Sequence, residues 1–79
     1  MQDHFTEILS EATLEYFRTG CDEPSVCAYL NEYSYSTICT CKRMVDSMPF
    51  LSEDMKPVMK RCIDAVIVYK SIYGDGRSR

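Results

Sequence analysis

The chain has 79 residues, 46% of them apolar, and a net charge of −3. That apolar share excludes a disordered chain, and the length fits one small domain with room for a single modest core. The acidic balance offers phosphate backbones no overall attraction, although a local basic face is not excluded by it.

The first segment, Asp3 to Thr19, reads as an amphipathic helix. Phe5, Ile8, Leu9, Ala12 and Tyr16 form one stripe, and Glu7, Glu11, Glu15 and Arg18 face water. Leu14 and Phe17 make a second apolar edge. Asp3 is the expected N-cap, and Gly20 stands where a left-handed residue ends a helix. Asp3, Glu7, Glu11 and Glu15 also break any leader-like apolar run, and the chain is expected to be cytoplasmic.

Asp22 caps a short second helix in which Pro24 occupies the first turn and the run Ser25 to Tyr33 follows. Val26, Cys27, Leu30 and Tyr33 share a face. The stretch Tyr33 to Cys41 is rich in strand formers and alternates in character, but a lone strand has no partner elsewhere in the chain. The helical reading puts Ile38, Cys41, Val45 and Met48 on one face, capped by Ser34 or Ser36 and running to about Ser47.

Pro49 stops this helix, and Met48 to Leu51 make an apolar turn. The last helix, within Ser52 to Tyr73, is expected to be the central one. Met55, Met59, Cys62, Val66, Tyr69 and Tyr73 recur at helical spacing, and Ile63, Ile67 and Ile72 widen the stripe. Asp54 is the expected N-cap, which makes Pro57 the third helical residue. Charges at Glu53, Asp54, Lys56, Lys60, Arg61 and Asp64 make this segment unfit to span a membrane. The fold class is therefore all-α, a small bundle of about four helices joined by short turns. Residues 1–73 are expected to form one domain and 74–79 a flexible tail.

Catalytic chemistry finds little support. His4 is the sole imidazole, and no nucleophile–base pair lies near it. The carboxylate pairs Asp22–Glu23 and Glu53–Asp54 sit at helix starts, where caps and the dipole explain them. Gly20, Gly74 and Gly76 form no phosphate loop. The five cysteines, Cys21, Cys27, Cys39, Cys41 and Cys62, read as free thiols, because their count is odd and no secretory signal is seen; only Cys39 and Cys41 are closely spaced. A structural zinc site is the sharper alternative, but zinc ligands come as two close pairs. No cofactor is expected.

Two functional readings remain. The second and third helices with their joint resemble a helix-turn-helix, with Ala28 as its small residue and Tyr33–Ser34 as its turn. On that resemblance Ser36, Thr37, Thr40, Lys42 and Arg43 would meet DNA. Glu32 replaces the usual turn glycine, and Asn31 stands where an apolar contact is expected. A DNA binder should also gather Lys42, Arg43, Lys56, Lys60 and Arg61 on one face, clear of acidic residues.

The preferred reading starts from the six tyrosines and five methionines. Tyr29, Tyr33 and Tyr35 cluster at one joint, and Tyr69 and Tyr73 end the last helix. Tyrosine gives large contact area with a polar tip, so these residues are the candidate partner contacts. Tyr33 and Tyr35 are the expected anchors, because a joint projects side chains outward. The expected function is a non-enzymatic interaction module, an adaptor or inhibitor, docking on a protein partner or on itself. Its signature is an exposed apolar patch with a polar rim.

Overall fold

Capping side chains and helix breakers set the element boundaries. The computed structural model describes residues 4–74, and these form four helices packed against one another. Helix α1 spans His4–Arg18, α2 Glu23–Leu30, α3 Tyr35–Met44 and α4 Met55–Tyr73, with a 3₁₀ turn at Val45–Ser47. The expected cap Asp3 and residues 75–79 of the expected tail lie outside the described residues.

Helix α1 buries Ile8, Leu9 and Ala12, with Phe5 and Tyr16 packed at the core edge. It ends in two successive left-handed residues, Gly20 at φ 74° and Cys21 at φ 65°. The Cys21 N–H then reaches back to the Tyr16 carbonyl at 2.7 Å. Glycine adopts this conformation freely, whereas Cys21 holds it at a steric cost of about 1 kcal/mol.

Asp22 caps α2 by accepting from the Ser25 N–H at 3.1 Å, and Pro24 lies in the first turn. The helix ends at Leu30, three residues short of the expected Tyr33. The chain tightens there: the Glu32 N–H bonds the Tyr29 carbonyl and the Tyr33 N–H bonds the Leu30 carbonyl. A charged side chain from α4 holds the end in place, since Lys70 Nζ donates to the Asn31 carbonyl at 3.1 Å.

The ambiguous stretch is helix from Tyr35 onward, and Ser34 is its cap, accepting from the Thr37 N–H at 3.4 Å. Ile38, Cys41, Val45 and Met48 are all buried, as the helical reading requires. The 3₁₀ turn carries this face round to Leu51, which is also buried.

Helix α4 has Asp54 at the N-cap position, as expected, but the capping bond comes from another side chain. Asp54 has helical backbone angles and its side chain makes no capping bond. Ser52 caps instead: its Oγ accepts from the Met55 N–H at 3.3 Å, and its carbonyl accepts from Met55 and Lys56. Pro57 is still the third helical residue.

Helices α1 and α4 each pack chiefly against α2 and α3. The central role expected of α4 is visible in what it buries. Met55, Met59, Cys62, Ile63, Val66 and Lys70 make it the largest contributor of buried side chains.

Candidate interaction surface

The apolar stripe of α4 divides at Val66. Up to that residue the stripe faces α2 and α3 and is buried. Beyond it the helix offers Val68 at 56% exposure, Tyr69 at 48%, Ile72 at 67% and Tyr73 at 70%. Tyr69 and Tyr73, the candidate partner contacts, continue the spacing of the stripe but not its burial, because α2 ends at Leu30 and no other helix among the described residues covers them from that side. Lys70 occupies the buried arc instead, 3% exposed, with its stem on the core and its ammonium on the end of α2. A cation is favoured at that carbonyl-rich helix end.

Ala65, Val68, Tyr69 and Ile72 stand at i, i+3, i+4 and i+7, so they share one helix face, with Tyr73 at its edge. The two tyrosine rings pack together, centroids 4.8 Å apart. Beside them lies a shallow pocket of about 370 Å³, lined by Cys27, Ala28 and Asn31 of the α2 end and by Ala65, Val66 and Tyr69 of α4. The small alanines form the pocket by failing to fill it. Asn31 brings a polar atom: its Oδ1 is buried with no hydrogen-bond partner among the described residues.

The tyrosines at the joint behave differently from those of α4. Tyr29 and Tyr33 are half-buried against the core, their hydroxyls 3.1 Å apart and their rings edge to face. Burial first, and then the Tyr33 hydroxyl, push the Tyr29 phenol above its ordinary value. His4 is exposed, with its ring edge-on to Tyr33 at 5.9 Å. Tyr33 therefore does not project from the joint, and of the two expected anchors only Tyr35 is exposed. Tyr33 turns inward where α2 ends early and its backbone closes on Leu30.

The residues of the helix-turn-helix resemblance are arranged as follows. Ser36 is exposed; Thr37 is bonded to Ser34 at 2.9 Å; Thr40 bonds the Ser36 carbonyl at 3.1 Å and accepts from Arg43. Lys42 meets Asp64 at 2.6 Å, Lys60 meets Asp46 at 2.8 Å and Lys56 meets Glu53 at 3.3 Å. Arg61 grips Glu23 through two hydrogen bonds, at 2.6 and 3.2 Å. The would-be basic face is thus interleaved with carboxylates. The Arg61 guanidinium holds the Glu23 carboxyl below its usual range, and Lys60 does the same for Asp46.

All five cysteines are free thiols. Cys27 and Cys62 meet across the α2–α4 contact, where the Cys27 thiol donates to the Cys62 carbonyl at 3.6 Å. Burial pushes the Cys62 thiol up to about 12. Among the described residues no three His, Cys, Asp or Glu side chains come together in a group able to hold a metal ion. No helix among them is long and apolar enough to cross a membrane.

Comparisons with protein-family models, with curated proteins and with solved structures returned no match. Of the surface just described, sequence reasoning found Tyr69 and Tyr73 but missed Ala28, Asn31, Ala65 and Lys70. The two alanines carried a signal, since each interrupts a row of larger residues on its helix. Asn31 and Lys70 carried none, because only the approach of α4 to the α2 end defines their roles.

Proposed function

We propose that the protein is a non-enzymatic interaction module, an adaptor or inhibitor, that docks through the C-terminal half of α4 and the pocket beside it. One observation carries this reading: Val68, Tyr69, Ile72 and Tyr73 stand exposed together on a helix whose first half is buried. Contiguous apolar surface of this kind costs free energy in water and is recovered when a partner covers it. Arg61 and Asp64 of the same helix, paired with Glu23 of α2 and Lys42 of α3, provide polar groups near the apolar face. The tyrosines supply large area with few rotors to freeze.

Replacing Tyr73 with a photo-crosslinking benzoylphenylalanine, in the cells that make the protein, tests the reading. A discrete adduct is expected from this position and none from the same group at Glu11, on the outer face of α1. Equal labelling from both positions, or from neither, overturns it.

The DNA-binding reading stands second, on the α2–α3 arrangement and the Ser34 cap. It calls for free cations, and four of the five it would use are paired with carboxylates. A labelled duplex titrated at low salt is expected to bind weakly. Binding tighter than about 1 µM that added salt removes, and that Lys42→Ala with Arg43→Ala abolishes, would establish DNA as the ligand.

A further inference from the structure

We infer that the occupant of this surface is a second copy of the same chain, in a two-fold dimer pairing α4 antiparallel with α4. The inference rests on the docking reading above and names its partner. Its first ground is that one helix face carries both halves of a contact. Tyr73 projects as a knob, 70% exposed, while Ala65, two turns earlier, lies on the wall of the pocket. Eight residues separate them, about 12 Å along the axis. In an isologous dimer, residue i of one copy meets residue j of the other and the reverse. An antiparallel pair centred on Tyr69 satisfies that rule, because each Tyr73 then lies opposite the partner copy's pocket. The two Tyr69 rings meet at the axis, where aromatic pairs pack well.

The second ground is polar. Asn31 lines the pocket, and its Oδ1 lies buried behind that wall with no partner among the described residues. A buried unpaired acceptor costs about 1–3 kcal/mol when nothing satisfies it. The phenol of an entering tyrosine brings one O–H donor on an apolar ring. The amide turns easily about its terminal torsion, so it can present Oδ1 to that hydroxyl.

The third ground is charge. From Ala65 to Tyr73 the exposed face holds no ionised side chain; Lys70, the one cation in this stretch, is buried on the α2 end. The nearby ions, Arg61 and Lys42, are already paired within the monomer. A strongly charged partner finds no counter-charge here, whereas an equally uncharged apolar face does fit.

With aromatic side chains offering roughly 150–250 Å² each, the exposed face amounts to about 400 Å² per copy, well under the ~800 Å² of a standard interface. The dimer is therefore expected to be a weak, transient one.

Sedimentation equilibrium of the full chain over a concentration series tests the inference. Reductant is kept present so that exposed Cys21 does not link copies covalently. A monomer–dimer equilibrium is expected. Tyr73→Lys and Ala65→Glu, both at exposed positions, should each weaken it by more than tenfold while circular dichroism stays unchanged. Mixing these two variants should restore a one-to-one heterodimer. In the antiparallel pair the introduced ammonium faces the introduced carboxylate at one end, and the native contact survives at the other. A chain that stays monomeric into the millimolar range overturns the inference, as does a dimer indifferent to both substitutions or a mixture that fails to pair. If the monomer result comes with a photo-crosslink from position 73 to a different protein, the second copy is wrong and the docking surface stands. If no crosslink forms either, both readings fall.

Discussion

Lys70 shows how a single side chain is redirected by its surroundings. It sits among Cys62, Ile63 and Val66 on the buried arc of α4, where an ammonium without partners would be strongly disfavoured. Its stem packs on the core and its Nζ reaches the Asn31 carbonyl, so burial and satisfaction come together. The cysteines divide in the same way. Cys21 is exposed, while Cys41 and Cys62 are buried. Iodoacetamide at neutral pH should therefore modify exposed Cys21 readily. Cys41 and Cys62 should react more slowly by at least roughly 10³-fold, because alkylation waits on an unfolding that costs at least about 5 kcal/mol. Mass spectrometry of quenched samples reads this directly. Comparable rates at all sites would show that the core opens far more often than a packed domain should.

At the scale of helices, capping decides where α2, α3 and α4 begin. Asp22 and Ser34 each bond the N–H three residues on, and Ser52 does so for α4. Asp54 makes no such bond although it is the acidic residue next to the helix. Ser52→Ala is expected to destabilise the domain by about 1 kcal/mol, the usual worth of a cap. Asp54→Ala should stay within about 0.5 kcal/mol, as an exposed site without a structural role does. Urea melts of the two variants check this, and a larger loss from Asp54→Ala would return the cap to that residue. Helix ends also explain the candidate surface. Because α2 stops at Leu30, the second half of α4 has no helix of the described residues beside it on that flank, and the pocket opens there.

For the whole molecule, cross-element ion pairs and buried thiols bound the pH range of greatest stability. Glu23 is held below its ordinary value of 4.5 by Arg61, and Asp46 below its ordinary 3.8 by Lys60. A depressed carboxyl contributes stability that is complete above its ordinary value and is lost as pH falls through the lower, folded one. At the other limit, burial raises Cys62 from 9.0 to about 12, so its contribution is complete below 9.0 and is lost as pH rises towards about 12. The melting temperature should be nearly flat between those limits. The acid decline should be shallow, since these pairs are exposed and screened, and the alkaline one steeper. Glu23→Gln should flatten the acid side; an unchanged acid profile in that variant would mean that the Arg61 pair contributes nothing to stability.

Periodicity and turn chemistry in the sequence determined the all-helical class, the four helices, the inward faces of α1 and α3 and the cap Asp22, and narrowed the α3 cap to Ser34 or Ser36. These are local properties: apolar spacing selects a helix face, and a short polar side chain satisfies an N–H three residues away. Sequence also marked the surplus of tyrosine and apolar surface on α4. It did not determine where that surplus lies. Tyr69 and Tyr73 share a stripe with Cys62 and Val66, and nothing in their spacing separates buried from exposed. Only the tertiary structure decided that, by ending α2 early, seating Lys70 on its last carbonyls and turning Tyr33 inward. The physical reason is that a helix carries its apolar face along its whole length, whereas burial depends on how far the neighbouring helices reach beside it.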